Sequence, residues 1–488
     1  MLLGLDLGSS SVKACLVDAD TRRVLASAQS PNSEMTIHAP QPGWAEQDPE
    51  EWWKHAVIAI KKVLAACGRQ ASDVKAVGIG YQMHGLVVLD EKGKVLRPSI
   101  IWCDSRAVAI GEKAREALGN AYCNDHLLNA PGNFTASKLG WVRENEPRIF
   151  EKTAVFMLPG DYLAYRLSGV VCSTESGLSE GILWDFKQNK PAEKLLRHFG
   201  IGGEMVPKLV PTFGDQGHIT STASTETGLP AGIPITYRAG DQPNNAWAMR
   251  ALEPGDMAGN GGTSGVVYAV SDLLRADPLN RVNNFAHVNH SATTPRIGVL
   301  LCINGAGSMY RWLRRETGTE DYPILETMAT SVPAGADGLR VLPFGNGVER
   351  MLHNQPCGAR VLNLDVNRHS RAHLLRAGLE GIACAFRYGV DIMRENGLEP
   401  RVLRVGPDNL FRSAVFSQSI ADLCKVRIDV LNGNGAWGAA VGAGYGARWY
   451  LTPKEALGEA KAEKSYEPKS DLEAVYASWK SHLEQAIR

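Results

Sequence analysis

Two short stretches of glycine and hydroxyl residues carry the chemistry most readily read from this chain. The first is Asp6-Leu7-Gly8-Ser9-Ser10-Ser11, flanked by apolar runs at 1–5 and 12–17. The second ends Gly261-Gly262-Thr263-Ser264-Gly265 and runs into apolar residues 266–270. Each reads as strand, tight turn, strand. Such turns present backbone N–H groups and hydroxyls to an anion, and glycine lets the backbone approach it closely. One turn in each half points to a nucleotide's phosphates held between two related domains. Neither stretch matches Gly-x4-Gly-Lys-Ser/Thr and neither opens a helix, so a P-loop is disfavoured. Lys13 stands either to meet a phosphate or to sit on a solvated strand face.

Phosphoryl transfer also needs a carboxylate to accept a hydroxyl proton. Asp241, in Gly240-Asp241-Gln242, stands where a strand at 233–237 gives way to a helix from 243. A helix cap is the plain reading of such an aspartate. Its place between the two halves is where a cleft base belongs. His84 ends a strand in Gln82-Met83-His84-Gly85, and strand-end loops of α/β folds are common places for substrate contacts. In Trp102-Cys103-Asp104-Ser105-Arg106 the carboxylate and guanidinium either bind hydroxyls or pair with each other.

Two other patterns lose weight on inspection. Gly433-Asn434-Gly435-Ala436-Trp437-Gly438 fits a dinucleotide fingerprint, but no second strand ending in an acid follows about twenty residues later. Glu455 lies in a polar tail, so close packing of small residues explains the glycines better. His287 and His290 fall near an extended segment at 281–289, which puts residues three apart on opposite faces, and no metal pair is expected there.

The elements that must position these groups follow from pattern. A third strand is expected at 23–29. A helix opens at Asp48, with Asp48 as cap, Pro49 as first helical residue and Trp52, Ala56, Ile60 and Val63 on one face. A buried strand at 74–79 follows, then a hairpin of residues 86–89 and 95–102. Hairpins, then helix, then strand is the order of a ribonuclease-H-like unit. Further on come a long amphipathic helix at about 370–396, a strand at 402–405, a helix at about 411–424, a strand at 426–431 and a small-residue helix at about 436–449. The tail 455–488 is expected to be helical. Two domains are drawn, 1–245 and 246–488.

Composition narrows the class. The 488 residues carry no net formal charge and no long basic run, so nucleic acid is not an expected partner. Nine scattered cysteines without a Cys-x-x-Cys pair fit reduced thiols in a cytoplasmic protein. No signal-peptide pattern opens the chain, and apolar runs such as 297–303 are strand-sized, so no membrane association is expected.

Taken in order, the motifs resemble the FGGY carbohydrate kinases, and within them the xylulokinases, over about residues 1–450. Asp6-Leu7-Gly8-Ser9-Ser10 resembles the family's first phosphate motif, and Gly262-Thr263-Ser264-Gly265 its second. Trp44-Ala45-Glu46-Gln47-Asp48-Pro49-Glu50-Glu51-Trp52-Trp53 and Gln82-Met83-His84-Gly85 resemble xylulokinase segments, the latter the sugar-reading loop. Trp102 to Arg106 is similar to Trp-Asn-Asp-x-Arg, Phe134-Thr135-Ala136-Ser137-Lys138-Leu139-Gly140-Trp141 to the first signature, and Leu374-Leu375-Arg376-Ala377-Gly378-Leu379-Glu380-Gly381 to the helix of the second.

The resemblance implies an actin-like, hexokinase-type fold of two ribonuclease-H-like domains with a cleft between them. It implies ATP and Mg²⁺ as cofactors and a sugar as substrate. D-xylulose is the expected sugar, with ribulose, gluconate and erythritol open, and a non-catalytic sugar or nucleotide sensor as the distant alternative. It implies Asp241 as general base, and Met83, His84, Asp104 and Gln242 as sugar contacts. Asp6, Gly8, Ser9, Ser10, Lys13, Gly262, Thr263, Ser264, Gly265, Gly406 and Asn409 are the nucleotide contacts, with Asp6 and Asp241 near Mg²⁺ through water. A homodimer is an expectation of the same kind. The sequence departs from the family at Val405-Gly406-Pro407-Asp408-Asn409, where the usual glycine-rich adenosine loop contains a proline without an N–H to donate. It departs again at Met351-Leu352, in place of Thr-Pro, and at Asn363, where glycine is usual.

Overall fold

The computed structural model describes residues 1–319, 321–407 and 409–487, and for Asn409 the backbone alone. The chain forms two compact units. One comprises residues 1–248, 285–296 and 433–459; the other comprises 249–284, 297–432 and 460–488. The chain therefore crosses between units several times, which a single cut after residue 245 does not express.

In the first unit, strand Leu2–Leu7 pairs antiparallel with Val12–Val17, which pairs antiparallel with Val24–Ser30. On its other edge Leu2–Leu7 pairs parallel with Ala76–Tyr81, and that strand with Ile235–Gly240. The resulting order, third-second-first-fourth-fifth, is the ribonuclease-H-like sheet. Strand alternation sorts the first strand's side chains to two faces. Leu3, Leu5 and Leu7 join the core with Trp52, Ala56, Ile60 and Val63 of helix Pro49–Cys67. That helix starts as expected, with the Asp48 side chain accepting from Glu50 N, and stops at Gly68 in the left-handed region. Gly4 and Asp6 face the other way, toward helix Gly435–Gly446. A Cβ on Gly4 would lie 1.9 Å from the Ala436 carbonyl oxygen, and one on Gly78 2.0 Å from that of Ala439. The glycines let helix and sheet meet backbone to backbone, which accounts for the small-residue composition of this helix.

The second unit repeats the plan. Strands Ile297–Ile303, Gly265–Ser271, Asp256–Gly261, Val402–Val405 and Arg427–Val430 stand in the same third-second-first-fourth-fifth order, with Lys464–Tyr466 added beside Arg427–Val430. Helix Arg371–Glu395 opens on a Ser370 capping box and buries Leu375, Leu379, Ile382, Phe386 and Met393 in this unit's core.

Three local expectations are corrected. The hairpin at 86–102 folds back, but only isolated bridges join its arms, at Leu86–Ile100 and Leu89–Val95. Pro98 has no N–H for the ladder. Val87–Leu89 pairs instead with Val155–Met157, and Ser99–Ile100 with Glu46–Gln47. The extended run at 281–289 ends at Ala286, and His290 N donates to the His287 carbonyl across a turn. The tail is not helical throughout. Lys464–Tyr466 is an edge strand on Arg427–Val430 and precedes helix Glu473–Ala486.

Candidate functional site

The first turn is built by hairpin geometry. Gly8 N donates to the Ser11 carbonyl, and the register pairs Asp6 with Lys13, so these two side chains leave the same face of the sheet. The fifth strand ends at Gly240, and Asp241 opens helix Asp241–Ala248. Within the first unit, Asp6, Gly8, Ser9, Ser10, Lys13 and Asp241 line one cavity of about 270 Å³, together with Gln82 and Trp102. Two carboxylates, three serines (Ser11 is the third) and a lysine thus share one space.

The electrostatics of that space are uneven. Burial, and after it the Asp6 charge, push the Asp241 carboxyl up to about 7 against the opposing N–H groups of Gln242 and of Asp241 itself. Asp6 is also raised by burial, with Lys13 opposing. A buried carboxyl near neutrality can take up and release a proton at working pH. Asp6 is crowded from behind, where a Cβ on Gly435 would stand 2.5 Å from its Oδ2. Asn244 Nδ2 donates to the Gly435 carbonyl at 2.8 Å and holds this helix start in place.

Met83, His84 and Gln242 come close to this arrangement. A Cβ on Gly240 would meet Met83 Cγ at 2.5 Å and Glu180 Oε2 at 3.2 Å, so Met83 and Glu180 border the residue before Asp241. His84 is a non-glycine residue with φ 62°, a left-handed conformation that the surroundings must maintain. Its N–H donates to Glu180 Oε2 at 3.3 Å, and its carbonyl accepts from Lys138 Nζ at 2.7 Å. Its ring packs edge-on to Phe134 at 4.8 Å and against Phe285 at 5.2 Å. Lys138 also donates to the Ile101 carbonyl at 2.9 Å, and burial brings its ammonium down to about 7. Glu180 is fully buried; that burial, and then the charge of Asp241, hold its carboxyl well above the usual range.

Asp104 is placed differently. Arg106 grips it through Nε and Nη2, the latter at 2.7 Å from Oδ2, and Ala45 N donates to the same oxygen at 2.6 Å. Asp104 and Arg106 pair with each other, and Arg106 stacks on Trp44 at 3.7 Å.

The second turn belongs to the other unit. Gly262-Thr263-Ser264 connects Asp256–Gly261 to Gly265–Ser271, the Thr263 carbonyl accepts from Ser308 N at 3.0 Å, and the Thr263 hydroxyl accepts from Arg311 Nη2 at 3.1 Å. Gly406 follows strand Val402–Val405. Asp408 and the Asn409 side chain lie outside the described residues.

Sequence reasoning did not single out Gln47, Gln82, Glu180 or Lys138. Gln47 Nε2 donates to the Ser9 carbonyl at 2.7 Å, its Oε1 accepts from Trp52 Nε1 at 3.0 Å and from Gln82 Nε2 at 3.1 Å. For Gln82 and Glu180 the available signal was a polar residue close to apolar runs, 86–89 and 182–184; Gln47 stands among Glu46, Asp48, Glu50 and Glu51 and carried no such signal.

Known proteins resemble this chain along nearly its whole length. The family model "FGGY family of carbohydrate kinases, N-terminal domain" matches residues 1–247, and the corresponding C-terminal model matches residues 257–447. A xylulose kinase of Escherichia coli (strain K12) is 31% identical over 98% of this chain and 96% of its own length. One of Bacillus subtilis (strain 168) is 29% identical over 93% and 90%. The crystal structure of xylulose kinase from Rhodospirillum rubrum superposes with a TM-score of 0.88 at 27% identity, covering 99% of this chain and 98% of that one. Two ribonuclease-H-like sheets in one chain are the actin-like fold class. The chain belongs to the FGGY family of carbohydrate kinases, enzymes that phosphorylate sugars.

Proposed function

We propose that the protein transfers the γ-phosphoryl group of ATP to D-xylulose, forming D-xylulose 5-phosphate. The observation that carries this reading is the shared cavity of Asp241, Asp6 and the Gly8–Ser10 turn, with the Met83–His84 loop beside Gly240. The similarity to xylulose kinases over nearly the full length supports the choice of sugar.

In this reading Asp241 accepts the proton of the attacking sugar hydroxyl, whose oxygen then displaces ADP at the γ-phosphorus in line. Ser9, Ser10 and the backbone of Gly8 orient phosphate oxygens, and Lys13 adds positive charge. Met83, His84 and Gln242 orient the sugar. Asp104 is an equally good candidate on sequence, but its engagement with Arg106 makes it a support for the loop. Gly262 to Gly265 and Gly406 are the second unit's nucleotide contacts.

Mg²⁺ fits the residues present. Among the described residues no cluster of three or more His, Cys, Asp or Glu side chains forms a metal cage. Two carboxylates, Asp6 and Asp241, face one cavity, and each is raised by burial, a cost that a cation relieves. Such an oxygen donor set, completed by water and phosphate, suits Mg²⁺, which when bound neutralises charge on the phosphates.

A cytoplasmic location belongs to the same reading, supported by nine free cysteines. So does a homodimer, which light scattering tests. ADP release in a coupled assay with ATP, Mg²⁺ and D-xylulose tests the whole. Sugar-dependent turnover lost in Asp241→Ala is the expected result. Turnover only with ribulose, gluconate or erythritol would replace the sugar, and turnover surviving in the variant would remove Asp241 from its role.

A further inference from the structure

We infer that Gln47 is a positioning residue for phosphate binding: anchored by Trp52, it locks the Ser9–Ser10 peptide so that consecutive N–H groups face the ligand. This rests on the nucleotide reading above.

The orientation of the Gln47 amide is set by a donor that has no choice. The Trp52 indole can only donate, so the Gln47 atom 3.0 Å away must be the carbonyl oxygen, Oε1. The Gln47 amide nitrogen is then committed to the opposite side, where it donates to the Ser9 carbonyl at 2.7 Å and to the Thr36 carbonyl at 3.4 Å. Gln82 reads the same orientation, donating from Nε2 to Gln47 Oε1 at 3.1 Å. That leaves the buried Gln82 Oε1 without a hydrogen-bond donor among the described residues. Trp52, Gln47 and Gln82 are all buried, so water does not compete for these bonds.

The consequence for the turn follows from peptide planarity. In a trans peptide the C=O of one residue and the N–H of the next point in opposite directions. With the Ser9 carbonyl tied to Gln47, the Ser10 N–H points away from Gln47. The Ser10 carbonyl is likewise tied, to Met35 N at 2.8 Å, which turns the Ser11 N–H away from Met35. Neither N–H donates to an acceptor among the described residues. Ser9, Ser10 and Ser11 line the cavity that also holds Asp6 and Asp241. Successive free N–H groups make a concavity for an anion, and here one side-chain anchor and one backbone anchor preset it.

The test uses the full chain and the isosteric variants Gln47→Met and Gln47→Glu. In Gln47→Met the KM for ATP and the calorimetric Kd for ATP rise by roughly tenfold, the scale of one lost buried hydrogen bond, while the KM for the sugar stays within about twofold. Gln47→Glu is worse, because a carboxylate cannot donate and faces two carbonyl oxygens. An equal rise in both KM values, or no change in ATP affinity, overturns the inference. A wild type that binds ATP but phosphorylates no sugar defeats the proposed function, while a weakened ATP Kd in the variants still supports Gln47's role. If neither variant folds, hydrogen exchange of the 8–12 segment in wild type decides: slowing on ATP addition supports the assignment, and unchanged exchange overturns it.

Discussion

The two sheets of this molecule share a strand order and differ in charge. In the first, the residue before the end of the first strand is Asp6, paired across the hairpin with Lys13. In the second, the matching place is Asn260, paired with Val266. The first sheet's fifth strand runs into Asp241, whereas past Val430 the second sheet's chain reads Leu431-Asn432-Gly433, with no carboxylate. One copy of the plan therefore concentrates two acids and a lysine around its turn. The other carries no acid in its turn, where the Arg311 guanidinium donates to the Thr263 hydroxyl. A neutral glycine-hydroxyl turn can bind an anion through N–H groups, but only the acidic one can also take a proton.

Exchanging these chemistries should break the contrast, and the largest effect is expected at Asp241. Asp241→Asn should lower kcat by about a hundredfold or more in the coupled ADP assay, because the amide cannot accept the proton. A loss confined to KM would mean that Asp241 binds and does not act as the base.

Next in size is the crowding around each turn. Gly435→Ala would place a methyl 2.5 Å from Asp6 Oδ2 and 2.7 Å from its Cγ. Displacing that carboxylate should cost roughly tenfold to a hundredfold in kcat/KM. Gly262→Ala is the counterpart in the neutral turn, where the nearest atom to a new Cβ is Ser264 O at 3.7 Å, and should leave the melting temperature unchanged. If the two alanine variants melt and work alike, packing does not distinguish the turns.

A smaller effect concerns pH. Asp241 titrates near 3.9 in the unfolded chain and at about 7 in the folded protein. Between these values the folded state holds the extra proton. The contribution of this group to stability is fully present below about pH 4 and is lost as pH rises through 7. The melting temperature of the ligand-free wild type should therefore fall across that window more than that of Asp241→Asn. Parallel profiles would show that Asp241 titrates normally.

The smallest change is expected from Asn260→Asp, which makes the neutral turn acidic. ATP affinity measured by calorimetry should drop by about fivefold, a screened repulsion near the surface, with little change in stability. An increase in affinity would place Asn260 away from the phosphates.

Much of the fold and part of the site are legible in the order of the amino acids. Asp48 capping its helix, the two hairpin turns, strand Val402–Val405 and the start of helix Arg371–Glu395 all depend on residues within a few positions of one another. Asp241 is legible because a strand end followed by a helix start is a local pattern. The hairpin at 86–102 is not, because Pro98 and competing partners, Glu46–Gln47 and Val155–Met157, decide its pairing, and the partners lie far away in the chain.

By itself, then, the sequence determined most of the elements, the two glycine-hydroxyl turns and the candidate carboxylates Asp6 and Asp241. Turns, caps and periodic faces are set by local sterics and by the burial of alternate residues. Only the tertiary structure decided that Gln47 would hold the Ser9 carbonyl, that Lys138 and Glu180 would hold His84, that Asp104 would be spent on Arg106, and that Gly435 would press on Asp6. Most of those contacts join residues distant in sequence, and no local period announces them. They form because each buried polar group must find a partner once the apolar faces have closed.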